Sequence, residues 1–452
     1  MRVIIIGAGR IGTSLAKSLA QENNEVYLIE KNEQVARKKG EKLDVKMIVG
    51  NAADPDVLKK AQVQEAELVL AVSTSDETNL VVCSLAGLFG AKRRIARVRN
   101  TSLSESLAEF GYDQFKIDEI INPELVAAQA IQKIVETPGA NEVADFANGK
   151  ILLRGFDISA SSPLCGSKIE DFSDEDFPWP FLIVSVVRNK TALIPKGDTT
   201  IEKDDHIYVL LPASSLGEFL IFINPDVKLP KKIVVYGATI TGAHVAMTLA
   251  GKVRDLLLIE ENDEVANEVA GRLEDVRIIN GSASDQDILT ECGIEATDVF
   301  IATSNNDHSN LISAVLAKKM GAKSTIIITQ QQDYTTIIDS LDIDAIINPH
   351  TLAVEQILHL ARGKGISAVT KLLEGETEAL EFIPEENSPI TKGPLKTIKF
   401  PKNSIIGAIY SENEVVLASG DAQVRAGERV IAFCHEAAVK KLQALFIRKN
   451  HI

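Results

Sequence analysis

The stretch Val-Ile-Ile-Ile-Gly-Ala-Gly-Arg-Ile-Gly, residues 3–12, decides the fold of this chain. Four β-branched residues in succession are typical of a strand that is buried on both faces. The glycines that follow have the spacing Gly-x-Gly-x-x-Gly and open an amphipathic segment. In such a turn Gly7 permits the tight bend, Gly9 lets the backbone approach a pyrophosphate, and Gly12 lets the helix pack closely on the strand. The stretch therefore predicts a strand, a phosphate-binding turn and a helix.

Apolar strands and amphipathic helices alternate after this turn, which predicts a doubly wound parallel sheet of the α/β class. The predicted strands are Arg2–Ile6, Glu25–Ile29, Lys46–Val49, Leu68–Val72, Arg94–Val98 and Glu119–Ile121. From about Ala140 the strands alternate polar and apolar residues, which predicts a smaller α+β subdomain. The predicted helix Pro123–Glu136 between these parts has few partners in its own unit, so we expect it to dock elsewhere.

The whole pattern occurs twice. Val-Ile-Ile-Ile-Gly at 3–7 recurs as Ile-Val-Val-Tyr-Gly at 233–237, and Ile-Asn-Pro at 121–123 recurs at 347–349. A repeat of this length indicates a duplicated unit of about 225 residues. Two Rossmann-like domains, each followed by a small α+β subdomain, are therefore predicted at residues 1–138, 139–224, 231–363 and 364–452, with a linker at Asn224 to Lys231.

Composition excludes several classes of protein. A chain of 452 residues with 45% hydrophobic and 25% charged residues is globular, not disordered or collagen-like. The 63 acidic residues outnumber the 48 basic ones, and a net charge of -15 disfavours nucleic-acid binding. The apolar runs are shorter than the roughly 20 residues of a membrane span. Four widely spaced cysteines and no signal peptide predict a cytoplasmic protein without direct membrane insertion.

A carboxylate completes the predicted dinucleotide motif. Glu30 ends the second predicted strand, where a carboxylate accepts hydrogen bonds from ribose hydroxyls and repels a 2′-phosphate. The second copy retains Glu260 but has Thr239 where the first has Gly9. We expect the Thr239 side chain to point into the pyrophosphate space, so the second site is weakened, or the repeat is kept only for its packing. The predicted cofactor-binding residues of this part are Gly7, Ala8, Gly9, Arg10, Ile11, Gly12, Glu30 and Glu260.

Polar residues follow the next two strands at the same rim of the sheet. Asn51 and Ala52 lie where an adenine would bind, and the alternative is that Asn51 and Asp54 cap the next helix. Ser73 and Glu77 follow the fourth strand and, with Asn79, could contact the ligand. The alternative there is a capping box formed by Thr74 and Glu77.

Two arginines stand near the end of the fifth strand. Arg97 and Arg99 are two residues apart, so they are expected to project from one face and to bind phosphate groups. The second unit has Ile328 and Gln330 at these positions, and it is also the unit that lacks the middle glycine. The loss of both the arginine pair and the middle glycine in the same unit favours a phosphate-binding role for Arg97 or Arg99. The alternative is that these arginines form ion pairs with nearby acidic residues.

Catalytic chemistry has no candidate in the sequence. None of the seven histidines has metal-ligand spacing, and there is no nucleophile elbow, Walker lysine loop or HExxH motif. Cys83 lies in an apolar helical run and is predicted to be inert core. We therefore predict a protein that is not an enzyme and that holds no metal.

With these motifs and the duplication, the chain resembles the TrkA family of regulatory subunits of the Trk potassium-uptake system, which consist of tandem RCK units. The resemblance rests on Gly7–Gly12, Glu30, the turn at 50–54, Arg97 with Arg99, and both Ile-Asn-Pro segments. It implies NAD(H) and ATP/ADP as ligands and a membrane-embedded potassium transporter of the Trk type as partner. It also implies a cytoplasmic location at the inner face of the cell membrane. An NAD-dependent oxidoreductase and a free-standing nucleotide sensor stay open as alternatives.

The duplication and the resemblance also predict a ring. Four chains would supply eight similar units to a closed assembly, a homotetramer. The helix after Pro123 and its copy after Pro349 are the predicted docking elements.

Overall fold

The computed structural model describes residues 1–172, 179–189, 191–224, 228–331, 341–361, 366–372, 377–411 and 414–448. The described residues form two six-stranded parallel sheets and two five-stranded antiparallel sheets. None of the helices in these ranges could span a lipid bilayer. The linker predicted at 224–231 falls partly outside them, at residues 225–227.

The first parallel sheet has the strand order β3-β2-β1-β4-β5-β6. Because β1 pairs in parallel with both β2 and β4, the order reverses beside β1, and a crevice opens at the carboxyl ends of these strands. The strands are β1 Arg2–Ile6, β2 Glu25–Glu30, β3 Lys46–Val49, β4 Leu68–Ala71, β5 Arg94–Arg97 and β6 Glu119–Ile121. The helices are α1 Arg10–Gln21, α2 Glu33–Gly40, α3 Pro55–Lys60, α4 Asp76–Phe89, α5 Thr101–Phe110 and α6 Pro123–Glu136.

The second parallel sheet repeats this order as β14-β13-β12-β15-β16-β17. The strands are β12 Lys232–Tyr236, β13 Asp255–Glu260, β14 Arg277–Asn280, β15 Val299–Ala302, β16 Ser324–Ile328 and β17 Ala345–Ile347. The helices are α8 Ile240–Leu249, α9 Asp263–Ala270, α10 Gln286–Glu291, α11 Asp307–Lys319 and α12 Pro349–Ala361. Two sheets of the same order in one chain confirm the predicted fold class and the duplication.

Each parallel sheet is followed by an antiparallel one. The first has the order β10-β9-β11-β8-β7 and consists of β7 Ala140–Phe146, β8 Ile151–Asp157, β9 Leu182–Arg188, β10 Thr191–Leu193 and β11 His206–Pro212, with helix α7 Leu216–Ile223. The second has the order β18-β19-β22-β20-β21 and consists of β18 Ile366–Lys371, β19 Thr377–Phe382, β20 Ser404–Ser411, β21 Glu414–Leu417 and β22 Arg429–His435, with helix α13 Val439–Gln443. The two sheets share one apolar core, in which Phe146 and Tyr208 meet Phe433.

The two units exchange helices. Ala127, Ile131 and Val135 of α6 are buried in the core of the second unit, whereas Ala353 and Ile357 of α12 are buried in the core of the first. Each buried valine or isoleucine of this kind stabilises the contact by about 1.5–3 kcal/mol. The prediction that α6 docks outside its own unit is confirmed. However, the apolar faces of both helices are already buried by contacts within one chain. In the described structure these faces are therefore not exposed for ring assembly.

Candidate nucleotide site

The turn at residues 7–12 has the geometry of a phosphate cradle. Gly7 has φ +96°, a left-handed value that favours glycine, and a Cβ on Gly12 would lie 1.9 Å from the Gly7 carbonyl oxygen. A Cβ on Gly9 would meet nothing within 4 Å. Gly9 is the N-cap of α1 and provides no side-chain cap. The α1 N-terminus therefore presents amides and a partial positive charge to an open space, as a bound phosphate requires.

Glu30 is held against this turn. Its Oε2 accepts a hydrogen bond from the Ala8 amide at 2.8 Å, and its Oε1 accepts one from the Asn32 amide at 2.9 Å. Asn32 in turn caps α2. Each carboxylate oxygen can accept more than one bond, so a ribose hydroxyl can still be bound. Ala8 and Ile11, which were also predicted to bind the cofactor, are buried and hold the turn on the sheet.

The second unit has the same frame but a different turn. Glu260 repeats the contact of Glu30, because its Oε2 accepts from the Ala238 amide at 2.7 Å. The Thr239 hydroxyl accepts from the Gly242 amide at 3.2 Å and donates to the Thr303 carbonyl at 2.9 Å. That Thr239 points into the pyrophosphate space stays a prediction. The structure adds that the Thr239 hydroxyl already occupies an amide at the α8 N-terminus, where a phosphate would bind.

The adenine side of the crevice also differs between the units. In the second unit, Glu261 accepts hydrogen bonds from the Tyr236 and Ser282 hydroxyls, both at 2.6 Å. Burial and the Glu261 contact raise the pKa of Tyr236 to about 12. In the first unit, Asn51 is exposed and its Oδ1 accepts from the Ala53 amide at 3.1 Å. Asp54 caps α3, as the capping alternative predicted.

At the end of β4 the structure corrects two predictions. The cap of α4 is Ser75, whose hydroxyl accepts from the Thr78 amide, and not Thr74. Asn79 is fully buried, where its Oδ1 accepts from Ser73 and its Nδ2 donates to the Arg97 carbonyl at 2.8 Å. Asn79 therefore ties β4 to β5 and is not a ligand contact. Ser73 lines the rim, and the exposed Glu77 accepts from the Ser75 hydroxyl at 2.8 Å.

The two arginines have different surroundings. Arg97 is 6% exposed, and its Nη1 donates to the Ser73 carbonyl at 3.3 Å. Burial lowers the pKa of Arg97 from its ordinary value. Arg99 lies beyond the end of β5 and is half exposed, with its Nε 2.6 Å from Glu124 of α6. The ion pair that was the alternative to a phosphate role is therefore present at Arg99.

Arg10 reaches from the first unit to the second. Its Nη1 donates to Gln330 Oε1 at 3.2 Å. A cavity of about 260 Å³ is lined by Arg10, Gln330 and the start of α11, including Asp307. The Arg10 side chain therefore contacts the second unit and does not fold back over the turn of its own unit.

Sequence reasoning missed one residue at this place. His350, the second residue of α12, comes from the second unit and is close enough to Arg97, Arg10, Glu124 and Arg99 of the first to feel their charges. Burial, followed by the charges of Arg97 and Arg10, lowers the pKa of His350. The sequence signal that could have pointed to His350 is the residue that follows each Ile-Asn-Pro segment. This residue is Glu124 in the first copy and His350 in the second.

Known proteins are similar in sequence to nearly the whole chain. The family model of the TrkA-N domain matches residues 3–123 and 233–349, and that of the TrkA-C domain matches residues 153–223. The Trk system potassium uptake protein TrkA of Vibrio alginolyticus is 31% identical over 452 residues, which is 99% of this chain and 98% of that protein. The chain belongs to the TrkA family. A TrkA homologue of Methanosarcina mazei is 32% identical over 99% of this chain and 100% of its own length.

Solved structures resemble the fold. A GsuK channel bound to NAD has a TM-score of 0.63 and 16% sequence identity, covering 98% of this chain and 78% of that chain. The GsuK RCK domain has a TM-score of 0.62, also at 16% identity, and covers 98% of this chain and 94% of that chain. At this identity the likeness shows the fold alone.

Proposed function

We propose that this chain is a cytoplasmic regulatory subunit that binds NAD(H) or ATP/ADP and gates a potassium transporter of the Trk type. The observation that carries the proposal is the difference between the two turns. Gly9 leaves the α1 amides open above an anchored Glu30, whereas Thr239 occupies the corresponding amide of α8. The first unit is therefore the main nucleotide site. The residues proposed to hold the ligand are Gly7, Ala8, Gly9, Arg10, Ile11, Gly12, Glu30, Asn51, Ala52, Ser73, Glu77, Arg97 and Arg99, with Glu260 in the second unit.

The family and the fold support this proposal. The relatives of this chain are named potassium uptake proteins, and one channel of similar fold has been solved with NAD bound. A ligand can regulate only if it binds two arrangements of the protein with different affinity. The start of α6 is tied to Arg99 at the rim of the first crevice, since Glu124 pairs with Arg99 and Asn122 donates to the Arg99 carbonyl. The rest of α6 packs in the second unit, so a nucleotide bound at this rim would act on the contact between the units. The subunit acts by binding and does not catalyse a reaction.

We also propose that the ring is assembled through α4 and α5. Val81 and Leu88 lie seven residues apart on α4 and are 47% and 73% exposed, and Phe110 of α5 is 58% exposed. Phe115 follows beside them, since Ser84 of α4 donates to its carbonyl at 2.7 Å. Several exposed large apolar side chains on neighbouring elements are typical of an interface. In the proposed tetramer this surface takes the role predicted for α6 and α12.

Reconstitution tests the function directly. The purified chain is titrated with NADH, NAD, ATP and ADP by calorimetry, and it is then reconstituted with a Trk-type transporter for measurement of potassium flux. We expect binding without nicotinamide turnover and a flux that depends on at least one nucleotide. Flux that no adenine nucleotide changes would contradict the gating role, and steady turnover without a partner would favour an oxidoreductase.

A further inference from the structure

The two units carry opposite charge on equivalent surfaces. Residues 31–46, which contain α2, hold six basic and three acidic side chains, so this basic patch has a net charge of +3. Residues 261–277, which contain α9, hold two basic and six acidic side chains, so this acidic patch has a net charge of -4. Both patches connect the second strand of a parallel sheet to the third, which pair in parallel in each unit. The repeat therefore preserves the structure here and reverses the charge.

The charges of both patches face solvent. Lys38 and Lys42 of the basic patch are exposed, as are Glu264 and Glu274 of the acidic patch, and none of the four forms an ion pair with a described residue. In the described structure each patch has one internal ion pair between side chains four residues apart, at 3.7 Å in the basic patch and 3.5 Å in the acidic one. Exposed pairs of this kind are weak and are screened by salt, so the net charge of each patch is available to a partner.

The two patches do not meet within one chain. Val35 of α2 packs in the core of the first unit, and Val265 and Val269 of α9 pack in the core of the second. No ion pair among the described residues joins the basic patch to the acidic one, although the units have exchanged α6 and α12. A surface of opposite charge is therefore available to each patch on another copy of the chain.

The patches lie away from the surface proposed above for α4 and α5. Helix α2 shares a core with α1 on one side of the first parallel sheet, whereas α3 and α4 pack in the core on the other side. The second unit has the same arrangement, with α8 and α9 on one side and α10 and α11 on the other. A contact through the patches is thus additional to one through α4 and α5.

We propose that the basic patch of one chain docks on the acidic patch of a second copy. This inference rests on the proposed self-association and deepens it, because it specifies which units of different chains meet. Two basic patches repel each other, as do two acidic ones, so charge permits only a first unit to face a second unit. A contact between unlike surfaces is head-to-tail, and it gives a ring when the rotation closes.

Reversing the charge of either patch in the full chain tests the contact. The α2 variant carries Arg37→Glu, Lys38→Glu and Lys42→Glu, which change the net charge of the basic patch by six, from +3 to -3. The α9 variant carries Glu264→Lys, Glu268→Lys and Glu274→Lys, which change that of the acidic patch from -4 to +2. All six side chains are exposed, so the melting temperature should stay the same.

Light scattering over a dilution series measures the effect on assembly. We expect each variant to require a roughly tenfold or higher concentration for the same degree of assembly, because attraction is replaced by repulsion. The control is Lys59→Glu with Lys60→Glu on α3, an exposed pair of lysines on the other side of the sheet, which should assemble as the wild type does. Raising the salt concentration from about 0.1 M to about 1 M shortens the screening length from about 10 Å to about 3 Å, and this should weaken wild-type assembly.

Mixing the two variants gives a result that a general loss of stability cannot give. The α2 variant has two acidic patches and the α9 variant has two basic ones, so each repels itself and attracts the other. An equimolar mixture should therefore recover the wild-type assembly that each variant alone has lost. In the wild type a carbodiimide, which joins an amine directly to a carboxylate, should link Lys38 or Lys42 to Glu264 or Glu274 of another chain.

The outcomes separate this contact from the assembly that it deepens. A wild-type chain that stays monomeric at every concentration overturns both. Wild-type assembly that is unchanged in both variants, or a mixture that recovers nothing, overturns the contact between the patches alone. Vesicles of anionic phosphatidylglycerol test the other occupant of a basic surface. Binding of these vesicles by the wild type but not by the α2 variant, with assembly unchanged, would assign the basic patch to a lipid surface and overturn the contact between copies.

Discussion

Replacing Gly9 by Thr would give the first unit the turn of the second. Gly9 has φ −71° and ψ −170°, which threonine adopts readily, and a Cβ there meets nothing within 4 Å. The free energy of unfolding should therefore change by less than about 0.5 kcal/mol. The new hydroxyl should accept a hydrogen bond from the Gly12 amide, as the Thr239 hydroxyl accepts one from the Gly242 amide at 3.2 Å. A bound phosphate would then lose its hydrogen bond from this amide. For a charged acceptor that loss weakens binding by about 1.5–3 kcal/mol, or roughly 10–150-fold in affinity.

The assay is nucleotide titration by calorimetry together with thermal melting of the same samples. Gly12→Ala is the contrasting variant, because its Cβ would lie 1.9 Å from the Gly7 carbonyl oxygen. That variant should lose stability and binding together, whereas Gly9→Thr should lose binding alone. Undiminished nucleotide affinity in a folded Gly9→Thr protein would refute the assignment of the phosphates to this turn.

Three further predictions concern the second unit, the cofactor and the ring. Thr239→Gly should raise the number of nucleotides bound per chain at a stability cost of a few tenths of a kcal/mol, and an unchanged stoichiometry would show that Thr239 is not what closes the second site. NADP should bind less tightly than NAD because its 2′-phosphate meets the Glu30 carboxylate, and equal affinities in the same titration would remove Glu30 from that role. Leu88→Glu should shift the assembly toward smaller species in light scattering without lowering the melting temperature, because Leu88 is 73% exposed. A ring that persists in Leu88→Glu would place the interface elsewhere.

The fold could be predicted because its signals are local and repeated. The run of β-branched residues before Gly7 is buried on both faces, and its copy at Ile233–Tyr236 takes the same place in the second sheet. The position of Glu30 beside Ala8 also follows from the parallel pairing of β1 with β2. Strand order and the location of the crevice therefore follow from hydrophobic pattern and spacing.

The partners of individual polar side chains could not be predicted in this way. Thr74 and Ser75 are both good capping residues, and only the exact start of α4 selects Ser75. Asn79 could have faced the ligand or the interior, and its bond to the Arg97 carbonyl depends on how β4 and β5 pair. The contribution of His350 arises from the exchange of α6 and α12, a contact between residues more than 200 positions apart. The hydrophobic pattern within one unit does not predict a contact with the other unit.

The arginines explain how a ligand could alter the angle between the units. Asn122 caps α6 and donates to the Arg99 carbonyl at 2.9 Å, while Arg99 holds Glu124 at 2.6 Å. The start of α6 is thus fixed to the rim of the first crevice, and the rest of the helix is buried in the second unit. A phosphate bound near Arg97 and Arg99, as proposed, would compete with Glu124 for the same positive charge. If that competition shifts α6 by a coupling of about 1–3 kcal/mol, the equilibrium between two arrangements changes by roughly 5–150-fold. Because α6 is packed on α8, we expect such a shift to move the second unit, and by reciprocity a partner that holds that unit would change nucleotide affinity by the same factor.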